Sequence, residues 1–292
     1  MLPTSLLKPW YLQRPKALWR RLFLKRPKEL TLKKVDMAWG GSLEFDVAGS
    51  IGWSALTTGV VDLALSEILC HLIERGTSVL DVGANVGGIT CLMARLAGSQ
   101  GCVEAFEPHP AIYERLDRNC KLNLGPLQSA VVLRKMAASD SQGEAILAEN
   151  PNAASDGQAS LETLEGGLIN FRVKKERLDD ILTEDRYPVM KLDVKGHELP
   201  VLLGSGKYFT EKKVENLFFE DHIGKNSPVC DFLRKCGYHL YSFGWTLGGV
   251  RVEPINVANL NNRFEAPNYW ASSKPIRQKY FPGWRCLSVV NP

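Results

Sequence analysis

The sequence has no uninterrupted apolar run of 18 residues, no Cys-x-x-Cys pair and no strong compositional bias, and each absence removes a class of protein. Without the long run, a membrane-spanning helix is not expected. Lys and Arg interrupt the apolar residues near the N-terminus before a signal-peptide core can form, so export by such a signal is not expected either. Seven scattered cysteines, an odd number, fit reduced thiols in a cytoplasmic setting better than a disulfide framework or a zinc knuckle. With 45% apolar residues, a collagen-like, coiled-coil or disordered chain is excluded, and a sizeable core is possible. A length of 292 residues suits one large α/β domain with extensions, or at most two domains.

The formal charge of +4 conceals an asymmetry. Residues 1–35 carry ten Lys or Arg and one acidic residue, leaving 26 basic against 31 acidic residues in 36–292, a net of −5. The body therefore gives no general attraction to nucleic acid, which is not expected as a partner. In the arm, Trp10, Tyr11, Trp19, Leu22 and Phe23 alternate with Arg20, Arg21, Lys25 and Arg26. A helix between Pro15 and Pro27 would have an apolar side rimmed by cations, which suits either packing on the parent domain or peripheral membrane contact through residues 8–28. Residues 1–35 are accordingly expected to form a basic amphipathic arm, with the folded domain in 36–292.

From Leu56 the pattern predicts a helix through LTTGVVDLALSEILCHLIER, ended by Gly76. A short buried strand follows at Ser78 to Asp81, then a glycine turn and the helix ITCLMARLAGS. GCVEAFEP and AIYERLDRNCKLN repeat the strand and helix, and Val131 to Ala137 predicts a third strand. Strand–helix alternation with short connections implies a parallel α/β sheet. The polar stretch SDSQGEAILAENPNAASDGQASLETLEGG predicts an irregular or hairpin excursion over one edge. Val189 to Leu192 and VENLFFEDH supply a fourth and a fifth strand, separated by a short helix in which Pro200 is tolerable only in the first turn. A late antiparallel pair is expected, with RCLSVV as a closing strand.

In open α/β sheets, ligands bind beyond the carboxyl ends of the strands. The residues there are Asp81, Gly83, Asn85 and Gly87 after the first strand, Glu107 after the second, Asp140 after the third, Asp193 after the fourth, and Glu220, Asp221 and His222 after the fifth. Gly83 and Gly87 permit a tight turn and close backbone approach. Glu107 is placed to accept hydrogen bonds from both hydroxyls of a ribose. Asn85 stands where a pyrophosphate-binding turn has its middle glycine, and Asp81 adds charge that suits a ligand amine. An adenosine-like ribose joined to a cationic amino-acid end describes S-adenosylmethionine. Asp81 as a simple turn cap, and Asp193 and Glu220 as stabilisers of nearby helix starts, are the plainer readings. Lys191 is expected to pair with a neighbouring carboxylate or to extend from the sheet. His71 and His109 read as ordinary surface or helix-end residues.

VLDVGANVGGIT, EAFEP, KLDVKGHEL and FFEDH together resemble the FkbM-type S-adenosylmethionine-dependent methyltransferases, over about Gly59 to His222. The first motif alone suggests only a class I methyltransferase; KLDVKGHEL is more specific. The resemblance implies a Rossmann-like, mostly parallel seven-stranded sheet with helices on both faces and a C-terminal antiparallel hairpin, spanning 36–292. It also implies a cofactor loop of Asp81, Gly83, Asn85 and Gly87, Glu107 on the ribose and Asp140 near the adenine. The family commonly has Glu where Lys195 stands. The implied activity is methylation of a hydroxyl on a saccharide or other small metabolite. Methyl transfer needs alignment and a base; Asp193, His222 and His197 are the candidates. Mg²⁺ bound by Asp193, Glu220 and Asp221 is a less favoured possibility. The aromatics Tyr269, Trp270, Tyr280, Phe281 and Trp284 read as core packing or as an acceptor wall. Two alternatives stay open: a non-catalytic nucleoside-binding scaffold docked through the basic arm, and a nicotinamide-dependent oxidoreductase, which lacks the expected glycine pattern.

Overall fold

The computed structural model describes residues 15–124, 131–149, 169–246, 248–256 and 268–283. Its first half runs α1 (Pro15–Phe23), β1 (Leu32–Asp36), β2 (Ser42–Asp46), α2 (Ser50–Thr58), α3 (Leu63–Leu72), β3 (Ser78–Val82), α4 (Gly88–Ala97), β4 (Cys102–Phe106), α5 (Pro110–Leu124), β5 (Val131–Arg134), β6 (Ala137–Ala138) and β7 (Gly143–Glu149). The second half runs β8 (Ile169–Glu176), α6 (Leu178–Ile181), β9 (Tyr187–Leu192), α7 (Glu198–Gly204), α8 (Gly206–Thr210), β10 (Val214–Glu220), α9 (Pro228–Lys235), β11 (His239–Thr246), β12 (Gly249–Pro254), β13 (Asn268–Ser272) and β14 (Tyr280–Pro282).

Among the described residues the main sheet has nine strands in the order β5-β4-β3-β9-β10-β13-β11-β12-β14. The pairs from β5 to β10 are parallel. From β13 outward every pair is antiparallel. The α/β sheet with helices on both faces is as expected, but a mostly parallel sheet of seven strands with a simple terminal hairpin is not what forms: half of the strand pairs are antiparallel. β13 inserts between β10 and β11, while the stretch through Gly248, with φ +97°, folds β12 back on β11. β14 then pairs with β12.

Period-two alternation sends neighbouring side chains into two cores. Val79, Val103, Val189 and Phe218 pack with α3 and α4 on one face. Leu80, Phe106, Met190, Leu192 and Leu217 pack with α7, α8 and α9 on the other. Each fully buried side chain of this size contributes roughly 1.5–3 kcal/mol. On the first face, Asp81 and Lys191 sit opposite each other in the β3–β9 register.

Two breaks depart from the sequence reading. The helix expected from Leu56 to Gly76 is two helices, because Gly59 takes a left-handed φ of +77° and closes α2 through its amide to Ala55 O. Asp62 then caps α3, its carboxylate accepting Leu65 N. The third strand ends at Arg134, and β6 leaves for a separate sheet of order β6-β8-β7. The polar excursion thus contains a long hairpin, β7–β8, with 150–168 outside the described residues.

The expected boundary at residue 35 falls inside β1, whose Val35 is buried in the first core. Of the arm, residues 1–14 lie outside the described residues, as do Trp284 and the expected strand RCLSVV. Ala17 of α1 is buried, and Arg21 stacks over the Trp53 ring of α2 at 5.7 Å. Tyr269, Trp270 and Phe281 are buried, and Trp270 and Phe281 join the first core.

Candidate active site

The glycine turn is fixed to the second strand before any ligand is considered. Gly83 N and Ala84 N both donate to Phe106 O, at 3.0 and 2.9 Å. Gly83 has φ +81°, and a Cβ there would lie 1.9 Å from Asp193 O, so the first and fourth strand ends meet only because this residue has no side chain. Asn85 also adopts a left-handed conformation, φ +52°, and its side chain accepts Val86 N at 2.7 Å. Gly87, with φ +90°, stands at the N-cap of α4.

Glu107 turns toward this loop. Its carboxylate accepts Asn85 N and His109 N, both at 2.9 Å, and is 8% exposed. Burial pushes the carboxyl up to about 7, against the lowering effect of the two amides and of Lys191. Gly83, Asn85 and Glu107 border a slot whose other walls are Phe106, Met136, Ala137, Ala138, Leu147 and His109. His109 is a wall residue, buried, with its ring against Phe171 at 4.5 Å and Nε2 3.2 Å from Glu149. The β7–β8 hairpin therefore closes one side of the slot.

Asp81 does not reach the slot. It is fully buried, accepting Thr90 Oγ1 at 2.6 Å and pairing with Lys191 Nζ at 3.2 Å. Lys191 in turn donates to Gly83 O at 2.5 Å, so Asp81 acts on the loop through a lysine. Removing one partner of such a buried pair costs about 3–5 kcal/mol, because the other charge is stranded. Asp140 is also elsewhere: its side chain is exposed and bound to Ser141 Oγ, while Ala137 and Ala138 form the wall it was expected to provide.

The KLDVKGHEL segment builds the junction. Lys195 and Gly196 take φ +53° and +97°, and the buried Glu198 carboxylate accepts Val194 N and Gly196 N at 3.2 and 3.0 Å. The bend puts Lys195 Nζ between Asp193 Oδ1 at 2.8 Å and Glu220 Oε2 at 3.1 Å. Burial raises the Asp193 carboxyl, but Lys191 and Lys195 outweigh it and hold the group below the usual carboxylate range. The ammonium occupies the space in which Asp193 and Glu220 would share a metal. Asp221 is turned back onto Ile223 N and Gly224 N.

Asn85, Asp193 and Lys195 line both the slot and a second cavity of about 340 Å³, against about 60 Å³ for the slot. The larger space holds Asp62, Lys191, Glu220, Asn268, Phe218 and Phe243, and Ser50, Ile51 and Ser54 of α2. Sequence reasoning missed Asp62. Its carboxylate accepts Leu65 N at 3.0 Å and Asn268 Nδ2 at 2.8 Å, and burial raises it above the usual carboxylate range despite both bonds. Its signal in the sequence is an acidic residue immediately before the helical run LALSEILC, which reads only as a cap. His197 lines the slot, its Nε2 3.0 Å from Ser139 Oγ. His222 is exposed, pairs with Glu220 at 2.8 Å and lines neither cavity. The slot thus offers a carboxylate acceptor among apolar walls, and the second cavity offers room for a polar molecule beside several charges.

The family described as the Methyltransferase FkbM domain matches residues 81–240. The hexuronic acid methyltransferase AglP of Haloferax volcanii is 30% identical over 138 residues, covering 47% of this chain and 54% of that protein. Methyltransferase sdnD of Sordaria araneosa is 30% identical over 156 residues, covering 43% of this chain and 59% of that one. The chain therefore spans somewhat more than half the length of each of these curated relatives. Among solved structures, a SAM-dependent O-methyltransferase from Thermotoga maritima matches with a TM-score of 0.42 and 11% identity, covering 85% of this chain and 79% of that one. The family match extends over more than half of the residues, from the first strand's carboxylate to β11, and this chain belongs to the FkbM-type family of S-adenosylmethionine-dependent methyltransferases.

Proposed function

We propose that this chain transfers a methyl group from S-adenosylmethionine to a hydroxyl oxygen of a saccharide or another small metabolite. The observation that carries the reading is the buried Glu107 carboxylate, held at the glycine turn by the Asn85 and His109 amides and bordering a slot with apolar walls. A carboxylate there accepts from a vicinal diol, and walls of Phe106, Met136, Ala137, Ala138 and Leu147 suit a flat heterocycle, so the residues fit the cofactor.

S-adenosylmethionine, when bound, supplies an electrophilic methyl group. Glu107 would hold the ribose hydroxyls, and the Gly83 turn would keep side chains out of the way. Asp81 is a positioning residue that acts through Lys191 on Gly83 O. Asp193 and Lys195, shared by both cavities, align the acceptor for in-line attack. Asp193 is a poor proton acceptor because two lysines keep it ionised. Asp62, in the second cavity and with a raised proton affinity, would take the hydroxyl proton as the methyl group passes from sulfur to oxygen, the methyl–sulfur bond breaking and S-adenosylhomocysteine leaving. His197 stands on the slot side and His222 outside both cavities, which favours Asp62 over either as the base.

The saccharide part of the reading is supported by AglP, named for a hexuronic acid, and by a cavity of a size suited to a monosaccharide. Family membership favours methyl transfer over hydride transfer to a nicotinamide. The test is to incubate the chain with methyl-labelled S-adenosylmethionine and a panel of neutral sugars, uronic acids and other small alcohols. Mass spectrometry should find one labelled methyl on an acceptor. S-adenosylhomocysteine should bind and NAD should not; failure of the first removes the cofactor assignment, and binding without turnover across the panel favours the scaffold reading.

A further inference from the structure

The largest unused feature lies on α1, which packs against the same α2 that lines the second cavity. α1 is held on the body by Ala17, Leu18 and the Arg21–Trp53 stack, and Arg26 Nε donates to Ala48 O at 2.8 Å. The helix is thus fixed in orientation, yet its outer side is apolar and wet. Trp19, Leu22 and Phe23 are 61%, 51% and 66% exposed, and the Trp19 and Phe23 rings touch at 5.0 Å. Leu24, Leu30 and Leu32 continue the exposed apolar surface along the following segment. Exposed Arg20, Lys25, Arg26, Lys28, Lys33 and Lys34 are interleaved with these residues, and within the stretch 19–34 the one acidic residue is Glu29.

We infer that this surface seats the protein on an anionic lipid bilayer. Tryptophan, phenylalanine and leucine on a short helix bury into the boundary between headgroups and acyl chains, while lysine and arginine bind the anionic headgroups. A fixed protein partner suits the surface less well. Lysine is depleted from the cores of protein interfaces, whereas here cations alternate with the apolar residues along the whole segment. A fluid headgroup layer accommodates that alternation without shape complementarity. Nucleic acid would engage the cations but leave Trp19, Leu22 and Phe23 in water. The arrangement has a geometric consequence: Ser50, Ile51 and Ser54 of α2 line the second cavity, so a bilayer under α1 lies one helix away from the acceptor space.

The test uses the full chain and two vesicle preparations, phosphatidylcholine alone and phosphatidylcholine with an equal part of phosphatidylglycerol, read by co-flotation. Binding to the anionic vesicles and not to the neutral ones is expected, with at least about a tenfold loss of partitioning in Trp19→Glu/Phe23→Glu. Arg20→Glu/Lys25→Glu should lose a similar factor, and added salt should weaken the wild type. All four side chains are exposed, so thermal melting of both variants should match the parent. No flotation of the intact chain, which is the outcome expected of a protein-docking surface, overturns the inference. Retention by Trp19→Glu/Phe23→Glu with loss in the charge variant also overturns it, because adhesion would then be purely electrostatic.

Discussion

The slot beside Glu107 takes one wall from two short stretches, Gly83–Asn85 and Glu107–His109, where the Glu107 carboxylate faces apolar side chains, and it meets the Asp193–His197 junction on its other side. The second cavity gathers Asp62, Lys191, Asp193, Lys195, Glu220 and Asn268 from four separate parts of the chain and crowds them together. In the slot, burial drives the Glu107 carboxyl upward to about 7. Across the junction, two lysines drive Asp193 the other way. The carboxyl group therefore acquires opposite shifts in proton affinity at two strand ends, which is how a single fold separates a binding carboxylate from a positioning one.

That division of labour can be broken by substitution. Asp62→Asn keeps the helix cap, since asparagine caps as well as aspartate, but removes the proton acceptor. Methyl transfer should fall by about 10²–10⁴-fold with S-adenosylhomocysteine affinity within about twofold. In the parent, the acid limb of kcat/KM should lie above the ordinary carboxylate range, in the direction burial moves Asp62. Equal loss of binding and turnover would show that Asp62 serves the cofactor or the fold instead.

Glu107→Gln should act on the opposite side, weakening S-adenosylhomocysteine binding by about 10–100-fold through loss of charge-assisted hydrogen bonds. The carboxyl is raised in the free protein, so it is largely protonated below about pH 7 and must lose its proton to accept from the diol. Calorimetry should find affinity falling as pH drops through about 7 and levelling off above it. The glutamine variant should lose that dependence; an unchanged profile would remove Glu107 from the ribose.

Lys195→Gln tests the junction. Without the ammonium, Asp193 and Glu220 repel and Asp193 loses one of the two cations that keep it ionised. Acceptor KM should rise by roughly three- to tenfold, with cofactor affinity changed by less than that. A larger effect on the cofactor would assign Lys195 to the slot. His222→Ala should have the smallest effect, turnover within about twofold, because the side chain is exposed and outside both cavities. A loss beyond tenfold would return His222 to the mechanism.

Much of the slot was legible because its chemistry is local. A glycine turn after an apolar strand, with a carboxylate ending the next one, is a pattern of neighbouring residues, and the parallel register of β3 and β4 brings the two together. His109 and Leu147 were not legible, because their burial depends on a hairpin folding back across the slot. Asp81 misled for a related reason. Its position in the motif suggests a ligand contact, but strand alternation turns it to the face where Lys191 of β9 stands. Asp62 lies within the single helix expected from Leu56; the break at Gly59 makes it the cap of α3, and only the approach of Asn268, 206 positions away, makes it part of a cavity.

The sequence by itself determined the alternating strands and helices, the glycine turn and the carboxylate that answers it, since each follows from residues close together in the chain. It also determined the separation of a basic arm from an acidic body. The tertiary structure decided which carboxylates share space with which lysines, and so which are ionised, because proton affinity depends on burial and on charges that only folding brings near. It decided too that the arm is held against α2 with Trp19, Leu22 and Phe23 outward, since a helical pattern defines an apolar face but not which side the body leaves uncovered.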